Sequence, residues 1–220
     1  RTVDGETMWR TPFGVHPRLV FSARHTDRGR WIYAFSGIRE VNKRRGIRGS
    51  TQTQTVADEL LILRGADGKV IARAPAPPLE PNMRFLDYAT TSGNFTGEGL
   101  DIVLREWRQD LEGGGEHLWA YDQDLNLLWQ YRSPGAWYGH HDAVQFYDVN
   151  GDGRDELLAG GTLFDAEGRA LWQHDRDAEV RNTLGGTHYD AVALGRFADD
   201  ETVDPVAFLL GGSAGVYVAD

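Results

Sequence analysis

The sequence predicts an all-β fold of repeated blades, as in a β-propeller, and three observations carry that prediction. An apolar strand, an Asp, a tight turn and a second apolar strand recur, most clearly at residues 119–129 and 163–172. A second pattern, at residues 140–144, returns at residues 188–192. No stretch shows a convincing helical period of apolar residues. Repeats of roughly 40–50 residues built from short strands are typical of propeller blades.

The repeats divide residues 1–220 into approximate blades. These are residues 16–72, 84–129, 137–172 and 187–220, with an additional outer strand at residues 1–10. Because the chain starts and stops in half copies, the favoured interpretation is about four blades of a seven- or eight-bladed ring. Further blades of the same parent chain would then be its partners. A complete four-bladed ring closed by the two termini is one alternative, and a β-sandwich with chance similarity between its turns is another.

Two segments between the clear repeats need separate interpretation. Residues 57–63 hold an unbroken Leu-Leu-Ile-Leu run that leads into a turn, which favours a strand over a helical turn. Residues 38–55 are polar and basic, and we expect them to form a loop on one face of the ring.

Composition limits the possible partners. The formal net charge is −10, which argues against nucleic acid and against anionic membranes. No apolar run approaches the ~20 residues of a membrane span. The chain has no cysteine, which excludes disulfides and thiolate metal sites.

Residues 148–156 have the pattern of a calcium-binding loop. Oxygen-bearing side chains stand at its first, third and fifth positions, a glycine at the sixth and a carboxylate at the ninth. Calcium prefers about six to eight oxygen ligands. The flanking residues 143–147 and 157–159 are strand-like, so the loop is expected to join two strands; a plain acidic turn is the alternative. The predicted calcium site comprises Asp148, Asn150, Asp152, Arg154 and Glu156.

A degenerate copy of this loop stands at residues 93–101. When Asn94 is aligned with Asp148 as the first position, the ninth position is Ile102, so no second metal is expected there. Weak calcium sites are easiest to fill outside the cytosol, which predicts an extracellular or periplasmic protein.

Four motifs together resemble one family. Residues 141–144, 148–156, 160–161 and 165–172 are similar to the blades of calcium-dependent β-propeller polysaccharide lyases. The rhamnogalacturonan lyases of the eight-bladed type and the ulvan-lyase-like propellers show this resemblance over residues 137–195. The acidic loop alone also occurs in integrin-type FG-GAP blades. The His-rich start of the inner strand favours the lyases.

The resemblance implies β-elimination on a uronate-containing acidic polysaccharide. In such lyases His and Tyr serve as base and acid, and Arg or His neutralises the uronate carboxylate. The matching catalytic candidates here are His140, His141, His188, Tyr189 and Arg181. Trp137 and Tyr138 are candidates for stacking on sugar rings. The alternative is a non-catalytic, calcium-binding FG-GAP-like propeller that binds glycans or proteins, with the histidines as structural hydrogen-bonding residues.

Overall fold

A computed structural model describes most of the chain, and within it the fold is all-β, as predicted. No helix occurs among the described residues, and none there has the length and hydropathy to span a membrane. Strands are numbered β1 to β19 in chain order. The described residues are 6–10, 20–26, 28–37, 39–45, 51–78, 83–84, 91–99, 101–108, 115–132, 138–142, 144–159, 161–173, 188–195, 206–211 and 215–219.

The first sheet contains β1 (Val20–Thr26), β2 (Gly29–Ser36), β5 (Glu59–Arg64) and β6 (Val70–Pro75), in the order β1-β2-β5-β6. All its pairs are antiparallel. The interior of β5 is buried at four successive positions, so this central strand is covered on both faces. The prediction of a strand at residues 57–63 is therefore confirmed.

Where the structure describes residues 38–55, they form two strands and not the expected loop. β3 (Arg39–Arg45) and β4 (Thr51–Val56) pair as an antiparallel, two-stranded sheet of their own. The polar composition concealed the β-propensity of β4, in which three threonines alternate with glutamines before a valine.

The second sheet is built from β7 (Met83–Arg84), β8 (Thr91–Gly93), β9 (Asp101–Arg108), β10 (Gly115–Tyr121) and β11 (Leu127–Arg132). Its order is β11-β10-β9-β7, and β8 also pairs with β9. Every pair is antiparallel.

The third sheet is a simple meander of β13 (Val144–Tyr147), β14 (Glu156–Ala159), β15 (Thr162–Phe164) and β16 (Ala170–Gln173). Its strands pair antiparallel in chain order. The acidic loop thus joins two strands, as the sequence predicted.

The fourth sheet takes one strand from elsewhere in the chain. Its order is β12-β17-β18-β19, from β12 (Tyr138–Asp142), β17 (His188–Gly195), β18 (Val206–Gly211) and β19 (Gly215–Ala219). The pairs β17–β18 and β18–β19 are antiparallel, whereas β12 runs parallel to β17.

Apolar clusters join the four larger sheets in succession. One lies between the first and second sheets, one between the second and third, and one between the third and fourth. Each fully buried apolar side chain contributes about 1.5–3 kcal/mol. The clusters include Tyr33 with Trp119, Leu118 with Leu157, and Leu158 with Val192, respectively.

The propeller prediction is wrong in both of its forms. The described sheets are open, and no described cluster packs the first sheet against the fourth to close a ring. The repeat places β12 in the blade at residues 137–172, yet β12 pairs with β17 in another sheet. The comparison with FG-GAP propeller blades is therefore not supported. The repeat encodes hairpins and their apolar faces, whereas ring closure depends on the rotation between sheets, which the repeat does not specify.

Candidate functional site

The structure makes neighbours of the two His-rich segments. β12 and β17 lie side by side, with Tyr138 opposite His188 and Gly139 opposite Tyr189. Adjacent strands of a sheet are about 4.8 Å apart. The backbones of the two segments predicted to supply the acid and the base are thus in direct contact.

Both strands are irregular at the same level. Between Gly139 and Asp142, β12 has two residues, His140 and His141, where β17 has only one, Asp190. β17 is also irregular at this residue against β18, because Tyr189 and Ala191 pair with consecutive residues of that strand. Bulges of this kind re-aim side chains and are over-represented next to active sites.

The register also corrects the alignment of the sequence repeat. The repeat aligns Asp190 with Asp142, but in the sheet Asp142 pairs with Ala191. Asp190 instead stands opposite His140 and His141. Sequence reasoning missed this placement because the bulge adds a residue that the repeat does not contain.

The side chains of the predicted catalytic and sugar-stacking residues are not described. For Tyr138, His140, His141, His188 and Tyr189 the structure describes the backbone and not the side chains. Trp137 and Arg181 lie outside the described residues, so their roles stay predictions.

The fourth sheet is fixed against the third. Val192 and Leu194 of β17 pack with Leu158, and the Leu194 amide donates a 3.0 Å hydrogen bond to Gln145 Oε1. β13 starts at Val144, close behind β12, and leads to the acidic loop at its other end. β13 has four residues and is about 13 Å long, and it therefore separates His140 and His141 from the acidic loop.

The acidic loop is folded by its own side chains. Asp148 accepts hydrogen bonds from the amides of Gly151 (2.7 Å), Asp152 (3.1 Å) and Gly153 (2.9 Å). Asn150 Oδ1 accepts another from the Asp152 amide at 2.8 Å. Gly151 and Gly153 have φ of 78° and 87°, a region that favours glycine.

Glu156 is a buried carboxylate at the base of this loop, with 2% of its surface exposed. It accepts hydrogen bonds from the Val149 amide at 2.8 Å and from Asn150 Nδ2 at 2.9 Å. Burial raises the pKa of Glu156, and the negative charges of Asp152 and Asp148 raise it further. The base of the loop is thus a site of negative potential.

The donor set fits calcium in kind, because the side chains at positions one, three, five and nine all carry oxygen ligands. Among the described residues, however, no three acidic or imidazole side chains converge as a formed metal site. The side chain of Arg154 contributes elsewhere: its Nε donates to Phe95 O at 2.5 Å, and its guanidinium pairs with Glu167 at 2.6 Å.

The acidic loop is also a joint between two sheets. The Asn94 amide donates to Asp155 Oδ2, and the Asp155 amide donates to Asn94 O, each at 2.7 Å. Asn94 Nδ2 adds a 2.9 Å bond to Gly153 O. The partner is the degenerate loop, whose Gly97 and Gly99 have φ of 83° and 72°, as in the acidic loop. The two loops therefore share a backbone form at their glycines and hold the second sheet to the third.

Solved structures with a similar arrangement are rhamnogalacturonan lyases. The rhamnogalacturonan lyase YesW has a TM-score of 0.61 and 18% identity, covering 92% of this chain and 38% of its own. The exotype rhamnogalacturonan lyase YesX gives 0.59 and 18%, with 92% and 36% covered. The Bacillus licheniformis rhamnogalacturonan lyase PL11 gives 0.58 and 19%, with 88% and 35% covered.

At such identities the likeness shows a shared fold alone. The chain spans between 35% and 38% of the length of these lyases. No protein-family model matches the chain, and the search of curated proteins gives no match.

Proposed function

We propose that the chain is part of a polysaccharide lyase that cleaves a uronate-containing acidic polysaccharide by β-elimination. The fold that it shares with rhamnogalacturonan lyases supports this class. The observation that carries the proposal is the parallel pairing of β12 with β17, because it sets side by side the two segments expected to provide the acid and the base.

The reaction needs three groups. A base removes the C5 proton next to the uronate carboxylate, the C4–O bond breaks as a C4–C5 double bond forms, and an acid protonates the leaving oxygen. His140 or His141 from β12 and His188 or Tyr189 from β17 fill the base and acid roles. Imidazole suits them because its unperturbed pKa is about 6.5. Arg181 neutralises the carboxylate, which lowers the cost of the charge that develops on it. Trp137 and Tyr138 stack on the sugar faces.

Calcium belongs to this proposal as a structural ion. Asp148, Asn150, Asp152 and Glu156 would hold it. Its charge would offset both the burial and the repulsion from Asp152 and Asp148 that raise the pKa of Glu156. We assign calcium no step in the reaction, because β13 separates the acidic loop from His140 and His141. The site of action would be extracellular or periplasmic, where a polymeric substrate is accessible.

An elimination assay tests the function. Unsaturated uronate absorbs in the ultraviolet, so release of product from polygalacturonate and from rhamnogalacturonan can be followed directly with calcium present. We expect His188→Ala and Tyr189→Phe each to lower kcat by about 10²–10⁴-fold, the usual contribution of a general acid or base. Tyr131→Phe, on β11 of the second sheet, is the matched control and should keep full activity.

Two results would count against the proposal in different ways. Full activity in both β17 variants would remove the assigned residues while leaving the lyase class intact. The absence of unsaturated product from every acidic polysaccharide tried would reject the function of this chain.

A further inference from the structure

The hairpin of β3 and β4 carries a local excess of positive charge in a chain that is acidic as a whole. Its described residues, 39–45 and 51–56, contain four Lys or Arg and one Glu, whereas the whole chain has a formal net charge of −10. The Debye length is about 8 Å at physiological ionic strength, so exposed charges farther away are largely screened. An anion near this hairpin would therefore respond to its local positive charge more than to the net charge of the protein.

The register leaves the cations of β3 without acidic residues opposite them. Arg44 pairs with Gln52 and Arg45 with Thr51, and β4 contains no charged residue. The spacing shifts between Val41 and Arg44, where β3 has one residue more than β4. One strand thus concentrates positive charge, and the other offers hydroxyl and amide groups.

The hairpin has a defined root in the first sheet. It leaves that sheet between β2 and β5, where the Asp58 amide donates a 2.9 Å hydrogen bond to Ser36 O. Gly37 turns the chain there with φ of 67°, and a Cβ at this position would lie 2.5 Å from the Asp58 side chain. β4 also lies near β7, which contains Arg84.

We propose that this hairpin is a binding arm for the acidic polysaccharide, separate from the β12–β17 site, and the proposal rests on the proposed function. β3 has seven residues and is about 23 Å long. Its cations are Arg39 and, about 13 Å further along the strand, the adjacent Lys43, Arg44 and Arg45. Positive charge at both ends of the strand suits a linear polymer with several carboxylates better than a small anion. The Thr and Gln side chains of β4 provide hydrogen-bonding groups of the kind that sugar hydroxyls require.

Binding to polygalacturonate, measured apart from cleavage, tests the arm. In a His188→Ala background, which prevents consumption of the polymer, the affinity would be followed by electrophoresis through gels containing polygalacturonate. The triple variant Lys43→Gln, Arg44→Gln and Arg45→Gln should lower the affinity about tenfold at low salt, since each exposed ion pair contributes modestly. The difference should disappear at about 1 M salt, where the Debye length is ~3 Å.

A second triple variant provides the matched control. Lys69→Gln, Arg73→Gln and Arg132→Gln remove the same charge at exposed positions in the β5–β6 turn, on β6 and on β11, respectively. This variant should bind within about twofold of the parent, and thermal melting should confirm that both variants are folded. An equal loss in both triple variants would show a net-charge effect and overturn the proposal, as would an unchanged affinity in the hairpin variant.

Further binding experiments distinguish this proposal from the alternatives. Hairpin-dependent binding to double-stranded DNA as tight as that to polygalacturonate would replace the polysaccharide with a general polyanion. Binding to neutral dextran should be absent. If the arm binds polygalacturonate but the parent chain releases no unsaturated uronate, the lyase function fails while the arm stands. If elimination occurs and the hairpin variant binds normally, the arm fails alone.

Discussion

Glu156 shows at the scale of one residue why the acidic loop would gain from a bound cation. Its carboxylate is 2% exposed and is held by two hydrogen bonds from within the loop. Burial and two nearby carboxylates nevertheless raise its pKa. The ionised form is thus less favourable in the folded protein than in the unfolded chain, and a bound cation would reverse that preference.

This shift predicts a pH dependence of stability. Because the folded pKa of Glu156 is raised, the folded protein binds the proton more readily in the window between the unfolded pKa, about 4.3, and the higher folded value. The contribution of Glu156 to stability therefore falls as the pH rises through that window, and the full cost is present above it. Urea unfolding in chelator should show the loss, and Glu156→Gln should reduce it, because the amide stays uncharged across this pH range.

A second carboxylate distinguishes this effect from the general repulsion in an acidic chain. Glu98 is exposed in the degenerate loop at residues 93–101. Glu98→Gln therefore removes the same charge from a carboxylate that is not buried. It should follow the parent profile. An identical pH profile for Glu156→Gln and the parent would contradict the assignment of the cost to Glu156.

At the scale of the element, the hairpin turns depend on one repeated aspartate. Asp122 Oδ1 accepts hydrogen bonds from the amides two and four residues later, at 2.9 and 2.8 Å. Asp165 Oδ1 does the same, at 3.0 and 2.8 Å. The residue three positions after each Asp has positive φ: 69° at Leu125 and 78° at Gly168. The sequence repeat therefore encodes a specific turn and not only an alternation of strands.

Two glycines with the same φ separate backbone strain from packing. Gly168 and Gly151 both have φ of 78°, but a Cβ at Gly168 would lie 2.4 Å from the Trp129 ring, whereas one at Gly151 would meet nothing within 4 Å. Gly151→Ala should cost about 1–2 kcal/mol from backbone strain alone. Gly168→Ala should cost a further ~1–3 kcal/mol from overpacking. Equal losses in urea unfolding would show that the Trp129 contact is unimportant.

At the scale of the whole molecule, stability depends on the joints between successive sheets. Tyr33 of the first sheet donates a 2.9 Å hydrogen bond to Gln123 O of the second. The second and third sheets meet through the reciprocal bonds of Asn94 and Asp155 next to the acidic loop. A cation bound in that loop should therefore stabilise two sheets together.

Calcium should raise the unfolding free energy of the entire chain. With a Kd of ~10⁻⁴ M, as in extracellular modules, about 10 mM calcium would add roughly 2.7 kcal/mol. Asp152→Asn should abolish most of this gain, since it keeps the oxygen that accepts the 2.8 Å bond from the Arg154 amide but loses the charge. Thermal melting with calcium, with magnesium and with chelator measures the effect.

The control for the calcium experiment is again Glu98 of the degenerate loop, where no second metal is expected. Glu98→Gln should retain the calcium response of the parent. A melting temperature that calcium leaves unchanged in the parent would remove the ion from the proposal.

Residues close together in sequence determined the local structure. The Asp turns, the strand at residues 57–63 and an acidic loop between two strands follow from hydrogen bonds and apolar patterns that extend over a few residues. The sequence also predicted that the two His-rich segments contribute to one site.

Only the tertiary structure decided how these elements combine. It paired Tyr138–Asp142 with His188–Gly195 in parallel and set Asp190 opposite His140 and His141. It folded the basic segment into a hairpin and left the sheets as an open stack. Strands about 50 residues apart pair, and sheets stack at a given rotation, because of the surface that the whole chain buries. No short stretch of sequence contains that information.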